Sequence, residues 1–300
     1  MLGLKIKGNK IINESGKEIL LKGININSPG ILKYQEDHDF LNDIKEIKKL
    51  GANAVSIPIC PAYWQSVPNY CKEILDPIVK LTKKLDLYCC LDWHAQGNPF
   101  TNKTREFGNE IINGFEKYDA KKEVAFSALE KLSKIYGNEK HIIFNIFSMP
   151  IDIKNENWIK ISQKFVDIVR KNSDNLIIVN GTNWSSDLSW VLNNPISSKN
   201  IVYGFDYYPL EMFQDKIDVL KVKEKYPVIF PECGYTLDGY FKGTKKDYGM
   251  KLKKYIFENN IGFFAWAYHP KRVPIILKSW DPKDLTEWGR FLKDELLRNR

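Results

Sequence analysis

Residues 40–59 read FLNDIKEIKKLGANAVSIPI. The stretch from Phe40 to Leu50 has the amphipathic pattern of a helix with one face to bury, and Gly51 stops it. Ala54 to Ile59 is a continuous apolar run, which a strand shows when both of its faces are covered, as in a parallel sheet. A helix packed beside such a strand is half of a repeating βα arrangement.

Outward from that pair, the pattern recurs along the chain. Apolar runs predict strands at Ile19 to Asn25, Ala54 to Ile59, Tyr88 to Trp93, Ile142 to Phe147, Leu176 to Asn180, Ile201 to Tyr207, Pro227 to Phe230 and Gly262 to Ala267. Amphipathic runs predict helices at Phe40 to Leu50, Glu73 to Leu85, Lys121 to Tyr136, Trp158 to Arg170, Ser186 to Leu192, Phe213 to Lys225, Lys246 to Asn259 and Leu285 to Leu297, with Gly137 a second helix stop. Eight alternating pairs in 300 residues predict an α/β fold, a (β/α)8 TIM barrel forming one domain over residues 1–300. Two short alternating runs around Gly8-Asn9 predict an N-terminal hairpin within residues 1–15, placed at the bottom of the barrel.

Composition narrows the class. An apolar share of 43% with 27% charged residues is that of a folded globular chain rather than a disordered one. The net charge of +8 is carried by lysines spread along helices such as Asp43 to Lys49 and Lys245 to Lys254, which reads as a solvated basic surface. No zinc finger, helix-turn-helix or RNA-binding signature is present, so nucleic acid is not an expected partner. The five cysteines, Cys60, Cys71, Cys89, Cys90 and Cys233, form no CxxC pair, and Cys60, Cys89 and Cys90 sit in apolar runs as buried thiols. Met1 to Lys10 lacks the apolar stretch of a signal peptide, and no segment predicts a membrane span. A cytoplasmic monomer is expected, or a secreted one if a leader has been removed.

In such barrels the chemistry gathers where strands end and the following loops begin. That rule selects Asn25, Asn27, Ser56, His94, Ser148, Met149, Asn183, Trp184, Asp206, Tyr208, Glu232 and Trp266. The same positions carry a resemblance over nearly the whole chain. Gly16 to Asn25 (GKEILLKGIN), Leu50 to Val55 (LGANAV), Leu91-Asp92-Trp93-His94, Pro227 to Gly234 and Phe263-Phe264-Ala265-Trp266 resemble, in order and spacing, strand segments of glycoside hydrolase family 5, the cellulases and mannanases.

A retaining glycosidase needs two carboxyl groups about 5 Å apart, one a nucleophile and one a proton donor. The resemblance places the nucleophile at Glu232, in Phe230-Pro231-Glu232-Cys233-Gly234. It expects the donor in an Asn-Glu-Pro motif after the fourth strand, where this chain reads Ser148-Met149-Pro150. A thioether donates no proton, and general-acid help is worth about 10²- to 10⁴-fold. Two further departures are Ser56, where the family has arginine, and Asp206, where it has histidine; both predict a raised pKa at Glu232. The resemblance makes Tyr208 the hydrogen-bond partner of the nucleophile, Trp266 the floor of a sugar subsite and His94 a subsite hydrogen-bonder, with Asn25, Ser56, Trp93, Ser148 and Trp184 completing the substrate-binding set.

The expected ligand is a carbohydrate: an oligosaccharide, polysaccharide or glycoconjugate. No cofactor or metal is expected, because His38, His94, His141 and His269 are scattered and no phosphate-binding glycine loop is present. Trp64, Trp93, Trp184, Trp190 and Trp280 are candidate sugar platforms or barrel caps. Three readings remain open: an active O-glycosyl hydrolase whose acid is rebuilt at Asp206, with Asp152 or Glu211 in reserve; a pseudo-glycosidase that binds sugar without turning it over; and an interaction scaffold on the same fold.

Overall fold

The computed structural model describes residues 1–105, 110–210 and 217–298. Eight parallel strands close into a barrel: β1 (Lys22–Ile26), β2 (Ala54–Ile59), β3 (Tyr88–Trp93), β4 (Ile142–Asn145), β5 (Ile177–Asn180), β6 (Ile201–Gly204), β7 (Val228–Cys233) and β8 (Gly262–Tyr268). Neighbours in sequence are neighbours in space, and β8 closes on β1 with Phe264 opposite Gly23. That closure requires a glycine, because a Cβ at position 23 would lie 2.2 Å from the Phe264 ring.

Helices cover the outside of the barrel after every strand except β5. They include α1 (Phe40–Lys49), α2 (Asp76–Lys84), α3 (Lys122–Tyr136), α4 (Asn155–Arg170), α5 (Ile217–Lys225), α6 (Met250–Asn259) and the short α7 (Glu287–Phe291). In α1, Asp39 caps the first turn by accepting from the N–H groups of Leu41 and Asn42, and Phe40, Ile44 and Ile47 are buried. Gly51, at φ +102°, then takes the left-handed turn that ends the helix. Helices α2, α6 and α7 each run on from, or into, a wider π-helical turn, at Cys71–Leu75, Lys245–Gly249 and Leu292–Leu297.

After β5 the structure departs from the expected helix at Ser186 to Leu192. Asn183, Trp184 and Ser185 all have positive φ, and only a 3-10 turn at Ser189–Leu192 follows. The Asp187 carboxylate accepts the Ser189 N–H at 2.8 Å, and an aspartate bonding its own neighbouring backbone competes with helix formation. The segment after β3 instead holds short paired strands, Gln96–Asn98 with Lys103–Thr104 and Ile111–Ile112 with Phe115–Glu116, which periodicity did not indicate.

The hairpin of Leu4–Lys7 and Lys10–Asn13 lies across the amino-terminal end of the barrel. Its Leu4 and Ile11 pack with Leu21, Ala54, Tyr88, Cys90, Ile143, Ile178, Val202, Ile229 and Phe264, the apolar filling of the barrel interior. Closing that end leaves the opposite one, where the strands terminate, as the open mouth. All five cysteines are buried and unbridged.

Candidate active site

Along β3 the side chains alternate. Cys89, Leu91 and Trp93 face the helical layer, whereas Tyr88 and Cys90 fill the barrel and Asp92 and His94 continue that inward face to the mouth. His94 Nδ1 sits 2.6 Å from Asp92 Oδ2. The imidazole lies parallel to Trp266 at 5.5 Å and edge-on to Tyr118 at 5.5 Å. Burial works against a charge on His94, but the Asp92 carboxylate, and beyond it Glu232, outweigh burial and hold its pKa above the ordinary value.

Glu232 stands at the end of β7 and is 4% exposed. Its Oε2 accepts the Tyr208 hydroxyl at 2.7 Å, while Oε1 has no partner among the described residues. Burial pushes the carboxyl up to about 7; His94 and Tyr208 pull it down and Asp92 pushes it further up. Backbone pairing explains why Tyr208 arrives there: the Tyr207 N–H donates to the Glu232 carbonyl at 2.9 Å and fastens the end of β6 along β7.

The same pairing brings in Asp206. It is 2% exposed, its N–H donates to the Ser185 carbonyl at 2.9 Å, and its Oδ1 has no partner among the described residues. Burial, then the neighbouring Glu232 and Asp92 carboxylates, raise its pKa well above the carboxylate range. Of the two buried carboxyls Glu232 has a cation and a hydroxyl drawing it toward ionisation, and Asp206 has two acids beside it. These surroundings favour the neutral form more strongly at Asp206 than at Glu232.

Met149 lies in a two-residue strand, Met149–Pro150, parallel to Gln96–Gly97. The N–H groups of Ser148 and Met149 donate to the Trp93 and Ala95 carbonyls at 3.0 and 3.1 Å, so the exits of β3 and β4 are joined. Asn180 secures the same turn from β5. Its amide nitrogen reaches the carbonyls of Phe147 at 2.9 Å and Ser148 at 2.8 Å, and Asn145 Oδ1 at 3.1 Å. The Ser185 hydroxyl also donates to the Ser148 carbonyl, at 2.7 Å.

Other candidates take different places. Ser56 is buried in the barrel between Asn25 and Cys90 in strand register. Asn25 spends its amide on the Pro231 and Phe264 carbonyls, at 3.0 and 3.2 Å, and ties β1 to the exits of β7 and β8. The Asn27 side-chain oxygen accepts the Ser28 N–H. Trp93 does not face the mouth: it is fully buried in the helical layer, edge-on to Trp64, because the two-residue period of β3 turns it away from His94. Trp190 is likewise core, against Tyr203. Trp280 is half-buried and stacked on His38 at 3.5 Å. Trp184 is half-buried, with the Arg105 guanidinium 5.5 Å above its ring. Asp152, a reserve acid in the sequence reading, has a side chain 69% exposed and ion-paired to Arg105 at 3.2 Å, outside the buried carboxyl group of residues. Glu211 lies outside the described residues.

Sequence reasoning passed over Asp92, Tyr118 and Asn180. Asp92 was legible, because residues two apart on a strand share a face and the next inward position after it is His94. Tyr118 comes from irregular chain and carries no such signal. Among the described residues no group of three or more histidines, cysteines or carboxylates is placed to hold a metal ion. No described helix is long and apolar enough to cross a membrane.

A family model described as Cellulase (glycosyl hydrolase family 5) matches residues 12–272. An endoglucanase of Clostridium saccharobutylicum is 25% identical over 98% of this chain and 64% of its own length. Endoglucanase A of Butyrivibrio fibrisolvens is 24% identical over 82% of this chain and 58% of its own. The chain thus spans less than two thirds of these relatives. Among solved structures, the beta-glucanase SdGluc5_26A of Saccharophagus degradans in complex with cellotetraose superposes with a TM-score of 0.86 at 24% identity, covering 99% of this chain and 93% of that one. The catalytic domain of Thermobifida fusca endoglucanase Cel5A gives 0.80 at 16% identity, covering 98% and 97%.

Proposed function

Because the chain belongs to glycosyl hydrolase family 5, we propose that it binds a β-linked oligosaccharide over the Trp266–His94 floor and cleaves its glycosidic bond with retention, using Glu232 as nucleophile and Asp206 as proton carrier. The observation that carries this reading is a pair of buried carboxyls brought to one end of the barrel by the Tyr207–Glu232 backbone bond, in different surroundings: neighbouring carboxylates and burial push Asp206 well above the carboxylate range, whereas His94 and the Tyr208 hydroxyl draw Glu232 toward ionisation. Paired acids whose surroundings push their pKa values apart are the usual division of labour between donor and nucleophile. The relatives named endoglucanase and beta-glucanase, one of them complexed with cellotetraose, favour a β-glucan chain as the saccharide.

In the first step the Glu232 carboxylate forms a bond to the anomeric carbon while the bond to the leaving oxygen breaks, and that oxygen takes the Asp206 proton. In the second, water attacks the glycosyl ester, Asp206 recovers a proton from it and Glu232 is released. His94, held by Asp92 and laid against Trp266, orients the sugar and supplies the positive neighbour that Ser56 does not.

A second reading is favoured by one feature, the thioether of Met149 at the family's proton-donor position: binding without turnover. The two separate in one experiment. Hydrolysis of a dinitrophenyl β-glycoside, whose leaving group needs no proton, is compared with that of natural gluco-oligosaccharides for the parent, Glu232→Gln and Asp206→Asn. The catalytic reading expects Glu232→Gln to abolish both reactions and Asp206→Asn to lose mainly the natural one. Parental rates in Asp206→Asn remove Asp206 from the mechanism. Saccharide binding with neither substrate cleaved by the parent establishes the second reading.

A further inference from the structure

The loop after β7 presents an aromatic series that begins at the nucleophile and ends in solvent. The Tyr208 hydroxyl is bonded to Glu232; the Phe241 ring lies 4.5 Å from the Tyr208 ring; the Tyr240 ring lies 5.1 Å from Phe241, edge to face, and is 73% exposed. The loop that carries it is tied to itself, with the Thr236 N–H donating to the Phe241 carbonyl and the Gly243 N–H to the Thr236 carbonyl, both at 2.8 Å. Leu237, the other exposed apolar residue of this loop, borders a different groove of about 430 Å³ with Glu287 and Arg290. Tyr240 is not part of that groove; its ring neighbour is Phe241, which leads back to the site.

Resting on the reading of the site as a saccharide cleft, we infer that Tyr240 is the platform of an outer subsite that binds a pyranose unit of a longer chain. A tyrosine ring gives the apolar face of a sugar a flat partner at small entropic cost. Asp238 and Lys242, two residues to either side in the chain, are exposed polar residues of the same loop. Phe241 and the backbone ties fix the platform before binding, so little ordering opposes it. A single exposed aromatic on a surface means little. What distinguishes this one is its continuity, ring by ring, with the residue that holds Glu232.

The test is calorimetric titration with β-linked gluco-oligosaccharides of increasing length in a Glu232→Gln background, comparing Tyr240, Tyr240→Phe and Tyr240→Ala. With Tyr240 in place, affinity is expected to rise with length. Tyr240→Ala should lose roughly tenfold for the longer oligomers and nothing for the shortest, while Tyr240→Phe retains the longer-chain affinity because the ring face does the binding. Length-dependent binding that is unchanged in Tyr240→Ala overturns the outer subsite and leaves the cleft reading intact. If no oligosaccharide binds in any background, both fall.

Discussion

The Tyr208 hydroxyl donates to Glu232 Oε2 across 2.7 Å, and among the described residues it is the sole hydrogen-bond partner of that buried carboxylate. The bond favours the ionised form, against burial that favours the neutral one. Tyr208→Phe should therefore move the ascending limb of kcat/KM against pH, which Glu232 is expected to set, to a higher pH than in the parent. Hydrogen bonds to charged groups are worth about 1.5–3 kcal/mol, which corresponds to a displacement of roughly one to two pH units. A pH profile on a dinitrophenyl glycoside checks it; an unmoved limb would mean that some other group sets the ionisation.

Glu232 also links stability to pH. Its folded pKa of about 7 lies above the ordinary value of 4.5, so between these values the folded state holds a proton that the unfolded chain releases. The resulting stabilisation is complete below about 4.5 and is lost as pH rises through 7, amounting to about 3 kcal/mol. Glu232→Gln removes the Glu232 part of the dependence. Thermal melts should show the variant gaining on the parent by several degrees between pH 4.5 and pH 8.5. Asp43, raised to about 6 by burial, contributes a loss of the same sign over a lower window in both proteins and cancels in the comparison. A constant difference across that range would show that Glu232 is not titrating as its surroundings dictate.

Strands β2 and β3 begin and end where the apolar runs do, because buried parallel strands tolerate few polar residues and their limits are written in composition. The helix expected at Ser186 to Leu192 was lost to local chemistry, three consecutive positive-φ residues and the Asp187 turn, which an apolar pattern cannot report. At the site, Glu232, Tyr208, His94, Trp266 and Asp206 were selected as strand-end residues, with roles expected from the family resemblance, and the structure places them together at the mouth. The error at Trp93 came from treating a whole strand end as one face. What periodicity could not supply was the consequence of the substitutions. The adjacency of Asp206 to Glu232 depends on the Tyr207–Glu232 backbone bond, a contact across strands.

The Asn180 amide joins three pieces of the β4 exit, and of the three groups it donates to only Asn145 Oδ1 belongs to a side chain. Asn180→Ala takes the side-chain donor from the buried Phe147 carbonyl and one of two from the Ser148 carbonyl, which should cost about 1–3 kcal/mol in chemical denaturation. Ser185 still holds the Ser148 carbonyl, so the variant is expected to fold. Because the same turn positions Met149, a loss near zero would indicate that the Gln96–Gly97 pairing alone sets its place.

The Met149 strand is fixed by backbone bonds to Ala95 and Trp93 rather than by its side chain, so a glutamate can replace the thioether without disturbing the register. Met149→Glu supplies a carboxyl where the sequence resemblance expects the proton donor and should raise hydrolysis of natural oligosaccharides by about 10²- to 10⁴-fold if protonation limits the parent. The informative comparison is with Asp206→Asn in both backgrounds. If Asp206 carries the parental proton, its loss is severe in the parent and mild in Met149→Glu, and the two substitutions are strongly non-additive. Equal losses in the two backgrounds would instead make Asp206 a support for Glu232, acting on the nucleophile whichever group donates.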